Sequence, residues 1–214
     1  MPAFAKWIHA LPRPLVRGLR NSWLGLLDLR DTMMGVKDEL TPPRRLHHVG
    51  GGDYKRTGLE FFSHFQKVAD LKPGERILDI GCGTGRMALP FLTYLDASGS
   101  YVGFDITPGA IAWCQSRIQA RHPHFTFVHA DIYNLEYNPQ GKVQAAAFRF
   151  PCGDESVDFA FATSVFTHLR TADVQRYFAE IRRTLAPAGR AFLTFFLLDD
   201  TARRCMTQPA SVHN

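Results

Sequence analysis

Ile77–Arg86 reads Ile-Leu-Asp-Ile-Gly-Cys-Gly-Thr-Gly-Arg. A short aliphatic run carrying an acid gives way to glycines at alternate positions, Gly81, Gly83 and Gly85, and a helical pattern follows. The reading is a buried strand that feeds a glycine loop and then a helix N-terminus. Glycine reaches positive φ and, having no Cβ, lets a ligand lie against bare backbone. The first N–H groups of the helix beyond have no partner within it and favour electron-rich groups. The loop differs from the pyrophosphate-binding pattern Gly-x-Gly-x-x-Gly, whose third glycine would fall where this chain has Arg86.

Working outward, Ser100–Asp105 is a second apolar strand ending in an acid 24 residues after Gly81. In nucleoside-binding α/β folds an acid about 20 residues on accepts hydrogen bonds from ribose hydroxyls. Alone, Asp105 reads as a cap or turn residue; at this distance from the glycine loop it reads as the ribose acceptor. Thr107 and Pro108 supply an N-cap and first turn for a helix to about Arg121, with Ile111, Cys114 and Ile118 on its core face. Phe125–Ala130 is a third strand, followed by Asp131 and Ile132, and Val157–Thr163 is a fourth. An amphipathic helix spans Thr171–Leu185, with Val174, Phe178, Ile181 and Leu185 on one face. Pro187-Ala188-Gly189 then turns the chain into a fifth strand, Arg190–Leu198. Near-continuous apolar strands alternating with helices predict a parallel sheet covered on both faces. Ligands of such sheets sit at the carboxyl ends of the strands, the rim shared by Asp79, Asp105 and Asp131.

Across about residues 72–198 this set of motifs resembles the class I S-adenosylmethionine-dependent methyltransferases of small-molecule type. The resemblance implies an α/β fold with a Rossmann-like, doubly wound, mostly parallel sheet. It implies S-adenosylmethionine as cofactor, held by Asp79, Gly81, Cys82, Gly83, Gly85, Asp105, Ile106, Asp131 and Ile132. In that family pattern Asp131 meets the adenine amino group and Ile132 packs on the ring. The activity implied is in-line methyl transfer to oxygen or nitrogen of a small-molecule or lipid-like acceptor. The alternative is a non-catalytic binding protein that keeps the fold. The family continues past the fifth strand with a helix and two more strands, whereas residues 199–214 are polar. The sheet is therefore expected to lack the last two of the usual seven strands. Its fifth strand would be an apolar edge for the N-terminal helices or a second copy in a homo-oligomer to cover.

Methyl transfer asks a protein chiefly to align the acceptor and exclude water, and a base helps when the acceptor is a hydroxyl or protonated amine. His168, in Ser-Val-Phe-Thr-His-Leu after the fourth strand, is the candidate catalytic base; its other reading is a histidine bonded to backbone at a loop-to-helix junction. Tyr133 either lines the acceptor pocket or packs. Asn134–Phe150 is longer than a routine connection, and Tyr137, Phe148 and Phe150 around Arg149 are candidates for the acceptor wall. Pro151-Cys152 resembles the nucleophilic pair of cytosine-5 methyltransferases but precedes the fourth strand instead of following it, so Cys152 is not assigned as nucleophile. Ala162-Thr163-Ser164-Val165 stands where nucleic-acid amino-methyltransferases carry Asn/Asp-Pro-Pro-aromatic. Nucleic-acid amine methylation is disfavoured accordingly.

The 214 residues divide into an N-terminal extension (1–56) acting as lid or cap, the cofactor-binding domain (57–198) and a polar tail (199–214). A net charge of +5 is mildly basic and carries no nucleic-acid signature. Cys82, Cys114, Cys152 and Cys205 form no metal or redox spacing and read as reduced thiols of a cytoplasmic protein. His47-His48 is not assigned to a metal. Gly50–Gly52 with Tyr54 and Lys55 reads as a lid or a plain linker. Within residues 1–36, Leu15, Leu19, Trp23, Leu26 and Leu27 share a helical face. That face either makes weak contact with a membrane surface or packs on the domain, and the second is preferred because the polar side is thinly basic. No apolar run reaches the ~18 residues of a spanning helix, and the start lacks a signal-peptide layout.

Overall fold

The computed structural model describes residues 13–46, 53–135, 137–195, 199–200 and 203–204. The paired histidines, the Gly50–Gly52 run, Cys205 and residues 196–198 of the expected fifth strand lie outside the described residues.

The helices are α1 (Arg13–Met33), α2 (Tyr54–Ala69), α3 (Ala88–Tyr94), α4 (Pro108–Cys114) and α5 (Thr171–Thr184). The strands are β1 (Arg76–Ile80), β2 (Ser100–Asp105), β3 (Phe125–His129), β4 (Val157–Ala162) and β5 (Leu185–Leu193). All five are parallel, in the order β3-β2-β1-β4-β5. The chain moves one way from β1 to β3 and then returns to the other side of β1, so the order reverses between β1 and β4. Open sheets bind ligands at such a reversal, beyond the carboxyl ends of the strands.

Alternation along the strands divides the core between the two faces. Ile77, Tyr101, Phe125, Phe159 and Phe161 meet Phe65 of α2, Phe91 of α3, Ile111 of α4 and Ile118 just beyond it. Phe65 is completely buried among aromatic rings, 4.6 Å from Phe161 and 5.3 Å from Phe159 between centroids. Each such pair contributes about 0.5–1.5 kcal/mol beyond its buried area. On the other face Leu78, Ile80, Ala160 and Ala162 meet Tyr177 and Ile181 of α5 together with Phe150 and Phe166. At the amino ends of the strands Arg76 forks onto Asp158 at 2.8 and 2.9 Å, joining β1 to β4. Arg190 of β5 reaches Glu75 at 2.8 Å and the carbonyl of Asp70 at 2.8 Å. These ion pairs leave the carboxyl ends free for a site.

Several elements differ from the sequence expectation. The helix after β2 does not run evenly to Arg121; α4 gives way to a wider π-turn at Gln115–Gln119. There Gln115 donates to the carbonyl of Phe127 at 2.8 Å and Gln119 accepts from its N–H at 2.9 Å. The two amides satisfy the outer edge of β3, an edge that would otherwise invite pairing. In α5 the buried residues are Tyr177, Glu180, Ile181 and Thr184, while Phe178 is half exposed and stacks on Phe166 and Phe195. The Pro187–Gly189 turn lies inside β5 as an irregularity: Leu185 pairs with Val157, then Arg190–Leu193 pair with Phe159–Ala162. Proline lacks the N–H that a regular ladder needs.

The N-terminal helix departs furthest. Leu15, Leu19, Trp23 and Leu26 are each more than half exposed, so α1 does not lie on the domain by its apolar face. Its inward side is polar. Asp28 accepts from Lys37 at 2.7 Å and from the main-chain N–H of Arg44 at 3.0 Å, while Asp31 holds the Arg44 guanidinium.

Candidate functional site

The glycine loop leaves β1 with Gly81, Gly83 and Gly85 all at positive φ, +76°, +52° and +81°. L side chains rarely adopt such values. A Cβ on Gly81 would stand 2.5 Å from Cγ2 of Val165, which follows β4, so this glycine sets the closeness of the crevice where the sheet order reverses. A Cβ on Gly85 would meet Ile118 at 2.8 Å and the Cys114 sulfur at 3.2 Å. Gly83 is different: its missing Cβ points into open space. Asp105, at the end of β2, accepts from the Gly83 N–H at 2.9 Å and from the Thr107 N–H at 2.7 Å. An ionised carboxylate offers about four acceptor positions, so two remain after these bonds. Beneath the loop the buried Tyr54 hydroxyl donates to the carbonyl of Thr84 at 2.8 Å, and the Arg86 guanidinium lies 5.5 Å from the Tyr54 ring. Burial pushes the Tyr54 hydroxyl's pKa upward. Tyr54 therefore braces the loop.

Above the loop opens a cavity of about 880 Å³. One side is lined by Gly81, Cys82, Gly83, Asp105, Ile106 and Ile132, the other by Tyr133, Leu135, Tyr137, Ser164, His168 and Tyr177. Leu46, Thr57 and Phe61 close a further part of the wall. The structure thus brings together nine sequence-named positions, including Tyr133, Tyr137 and His168, from four separate loops. His168 sits in a short 3-10 turn at Phe166–His168, its ring edge-on to Tyr137 at 5.5 Å between centroids. Its main-chain N–H donates to the carbonyl of Val165 at 3.0 Å.

Three sequence-named positions stand behind the wall. Gly85 packs against Ile118 and Cys114 instead of facing the cavity. Asp131 is absent from the lining; its side chain lies 3.5 Å from the Asn138 amide, and its carbonyl accepts from Lys142 and Val143. Asp79 is buried under the loop, where it accepts the Tyr101 hydroxyl. Burial pushes the Asp79 carboxyl up to about 7. Phe148 and Phe150, expected on the acceptor wall, pack instead against Phe104 in the core. Arg149 faces Asp154 at 3.0 Å. Burial raises the Cys152 thiol to about 11, which suits a structural thiol and not a nucleophile.

The sequence reading missed several lining residues. Ser164 takes φ +59°, a left-handed conformation uncommon outside glycine, and its N–H donates to the Thr194 hydroxyl at 2.9 Å. Arg86, Val165, Asp173 and Tyr177 also line the cavity. The segment behind this wall is anchored by Glu180, which accepts the Phe150 N–H at 2.9 Å and pairs with Arg183 at 2.6 Å and Arg176 at 3.0 Å. A helix carrying Arg176, Glu180 and Arg183 on one side was the available signal; nothing local showed what the acid would hold.

A family model described as a methyltransferase domain matches residues 78–193. A 2-phytyl-1,4-naphtoquinone methyltransferase of Trichormus variabilis is 27% identical over 132 residues, covering 61% of this chain and 50% of that protein. A phthiotriol/phenolphthiotriol dimycocerosates methyltransferase of Mycobacterium leprae is 29% identical over 154 residues, covering 71% of this chain and 48% of that protein. The chain spans about half the length of these curated relatives. Among solved structures, the PH0226 protein of Pyrococcus horikoshii OT3 superposes with a TM-score of 0.51 at 19% identity. That match covers 67% of this chain and 58% of that one, a likeness of fold.

Proposed function

The chain belongs to the methyltransferase-domain family, and from that premise we propose that it methylates oxygen or nitrogen of a small-molecule or lipid-like acceptor, with S-adenosylmethionine as donor. The observation that carries this reading is the pairing of Gly83 with Asp105 on the cavity wall. Gly83 presents bare backbone to open space, a cradle that any Cβ would fill. Asp105 holds the loop by its N–H and keeps acceptor capacity for the ribose hydroxyls. Cys82, Ile106 and Ile132 supply apolar contact on the same side for the adenosine.

When bound, the donor supplies an electrophilic methyl group and its own thioether leaving group. The remaining work falls to the chain. The wall formed by Tyr133, Leu135, Tyr137 and Tyr177 orients the acceptor and excludes water. His168, on that wall, takes the proton of a hydroxyl acceptor as the new bond forms. The two curated relatives are named for a phytyl naphthoquinone and for phthiotriol dimycocerosates, which supports a lipid-like acceptor here.

Calorimetric titration with S-adenosylmethionine and S-adenosylhomocysteine tests the reading, followed by methyl-label transfer to quinol and phenol acceptors. Micromolar binding and label transfer are expected. A folded chain that binds neither ligand overturns the proposal and leaves a non-catalytic binding protein on the same fold.

A further inference from the structure

The outward face of α1 has a definite chemistry. Leu15, Leu19, Trp23, Leu26, Leu29 and Met33 are 51–80% exposed. At about 100° per residue they fall within one stripe about 120° wide on a helix about 30 Å long. Soluble proteins rarely leave so many large apolar side chains contiguous and uncovered.

The charges say what the stripe fits. Residues 1–27 contain Lys6, Arg13, Arg17 and Arg20 and no acid. The acids that follow are all engaged on other sides of the segment. Asp28 pairs with Lys37 and Asp31 with Arg30 and Arg44, Asp38 pairs with Lys55, and Glu39 with Arg121 at 2.5 Å. What remains for a partner is an apolar stripe on a helix whose opposite side carries arginine at positions 13, 17 and 20. A second copy meeting this stripe would leave those arginines unengaged on the far side, whereas an anionic headgroup layer meets both the stripe and the cations beside it.

We propose that α1 is an interfacial helix that lays its Leu15–Met33 stripe into an anionic lipid surface, with Arg20 at the headgroups. Amphipathic helices of this length with leucine and tryptophan opposite basic residues bind bilayers in the interface plane. No described helix is long and apolar enough to cross a membrane, so the geometry is one of lying on the surface. The helix is tied to the cavity. Arg44 grips Asp28 and Asp31, and two residues later Leu46 lines the cavity wall. If the methyl-transfer reading holds, this places the mouth of the acceptor site against the phase in which a lipid-like acceptor resides; the docking itself does not depend on that reading.

The test is co-sedimentation of the full chain, without cofactor, with vesicles of equimolar phosphatidylcholine and phosphatidylglycerol and with phosphatidylcholine alone. The chain is expected to bind the anionic vesicles preferentially and to release as salt rises. The double variant L19E/W23E is expected to lose at least about ten-fold in partitioning, since two large apolar groups leave the lipid. Its melting curve should match the parent, because both side chains are exposed. Arg20→Glu should reduce the preference for anionic over neutral vesicles. Equal binding by L19E/W23E, no preference between the vesicles, or no binding at all would overturn the proposal. A chain that ignores vesicles but dimerises through this stripe would assign the face to a second copy instead. Cofactor titration reads the other proposal separately.

Discussion

The two sides of the cavity are built by different means. The side facing the glycine loop is backbone held in place: three left-handed glycines, two N–H groups on Asp105, and a tyrosine bracing the loop from below. The opposite side is made of side chains from 3-10 turns and a long connection, with Leu135 81% exposed and Tyr133 41% exposed. The segment behind it is anchored by a buried acid, Glu180, among arginines of α5, and Ser164 on it is held by Thr194. A backbone surface admits one geometry and suits an unchanging ligand. A side-chain surface can be recut position by position without disturbing the sheet, and suits whichever acceptor the chain has come to serve.

If that contrast is right, damage to the two sides should separate. Gly81→Val should have the largest effect, because it combines a left-handed φ with a contact 2.5 Å from Val165. Backbone strain alone costs about 1–3 kcal/mol. Calorimetry should show donor affinity reduced at least about a hundred-fold, roughly 2.7 kcal/mol. Glu180→Ala comes next and breaks the other side. Removing a buried acid from its arginines costs about 3 kcal/mol or more in stability. Chemical denaturation should show that loss while donor affinity stays within about two-fold, since nothing on the glycine side touches Glu180. An equal loss of donor binding in this variant would dissolve the distinction.

Asp105→Ala should act in the opposite sense. It removes the acceptor of the Gly83 and Thr107 N–H groups. Bonds to a charged group are worth about 1.5–3 kcal/mol, so donor affinity should fall about ten- to a hundred-fold with a smaller change in melting temperature. Asp79→Asn should have the smallest effect and reads the support beneath the loop. The Asp79 carboxyl is pushed up to about 7 from an ordinary 3.8. Between those values the folded chain keeps a proton that the unfolded chain has released, so this group's contribution falls as pH rises from about 4 to 7 and is level above. Asparagine still accepts the Tyr101 hydroxyl and has nothing to titrate. The slope of melting temperature across that window should flatten in the variant. Below 3.8 both chains should lose stability together, because Arg76 holds the Asp158 carboxyl low in each.

The same contrast governs what could be read from the sequence. Strands β1 to β4 announced themselves as apolar runs, and β2, β3 and β4 begin where the pattern begins. The glycine loop was legible because its chemistry is local: positive φ strongly favours glycine, and the acid that orders it closes the next strand. Asp105 and Gly83 are partners across 22 residues of sequence, near enough for spacing to link them. Phe150 and Glu180 are partners across 30 residues with no periodicity between them, so the support of the opposite wall went unread even though Tyr133, Tyr137 and His168 on it were named. Phe148 and Phe150 looked like pocket residues because aromatics in a long connection look alike, whether they face a ligand or Phe104. In α1 the hydrophobic period was read correctly and its direction was not, since a helical stripe does not say on which side of it the protein lies.

The position of β1 has a consequence for synthesis. It is the central strand, yet Arg76 and its partner Asp158 are 82 residues apart. At about 5–20 residues per second a ribosome needs roughly 4–16 s to cover that interval. During it, β1, β2 and β3 with the glycine loop can assemble, while the flank of Ile77–Ile80 that will receive β4 stays open to other chains. The half of the cavity read most easily from the sequence is thus also the half finished first. Substitutions that slow the arrival of β4 should lower the yield of native chains, even where they leave the finished molecule as stable as before.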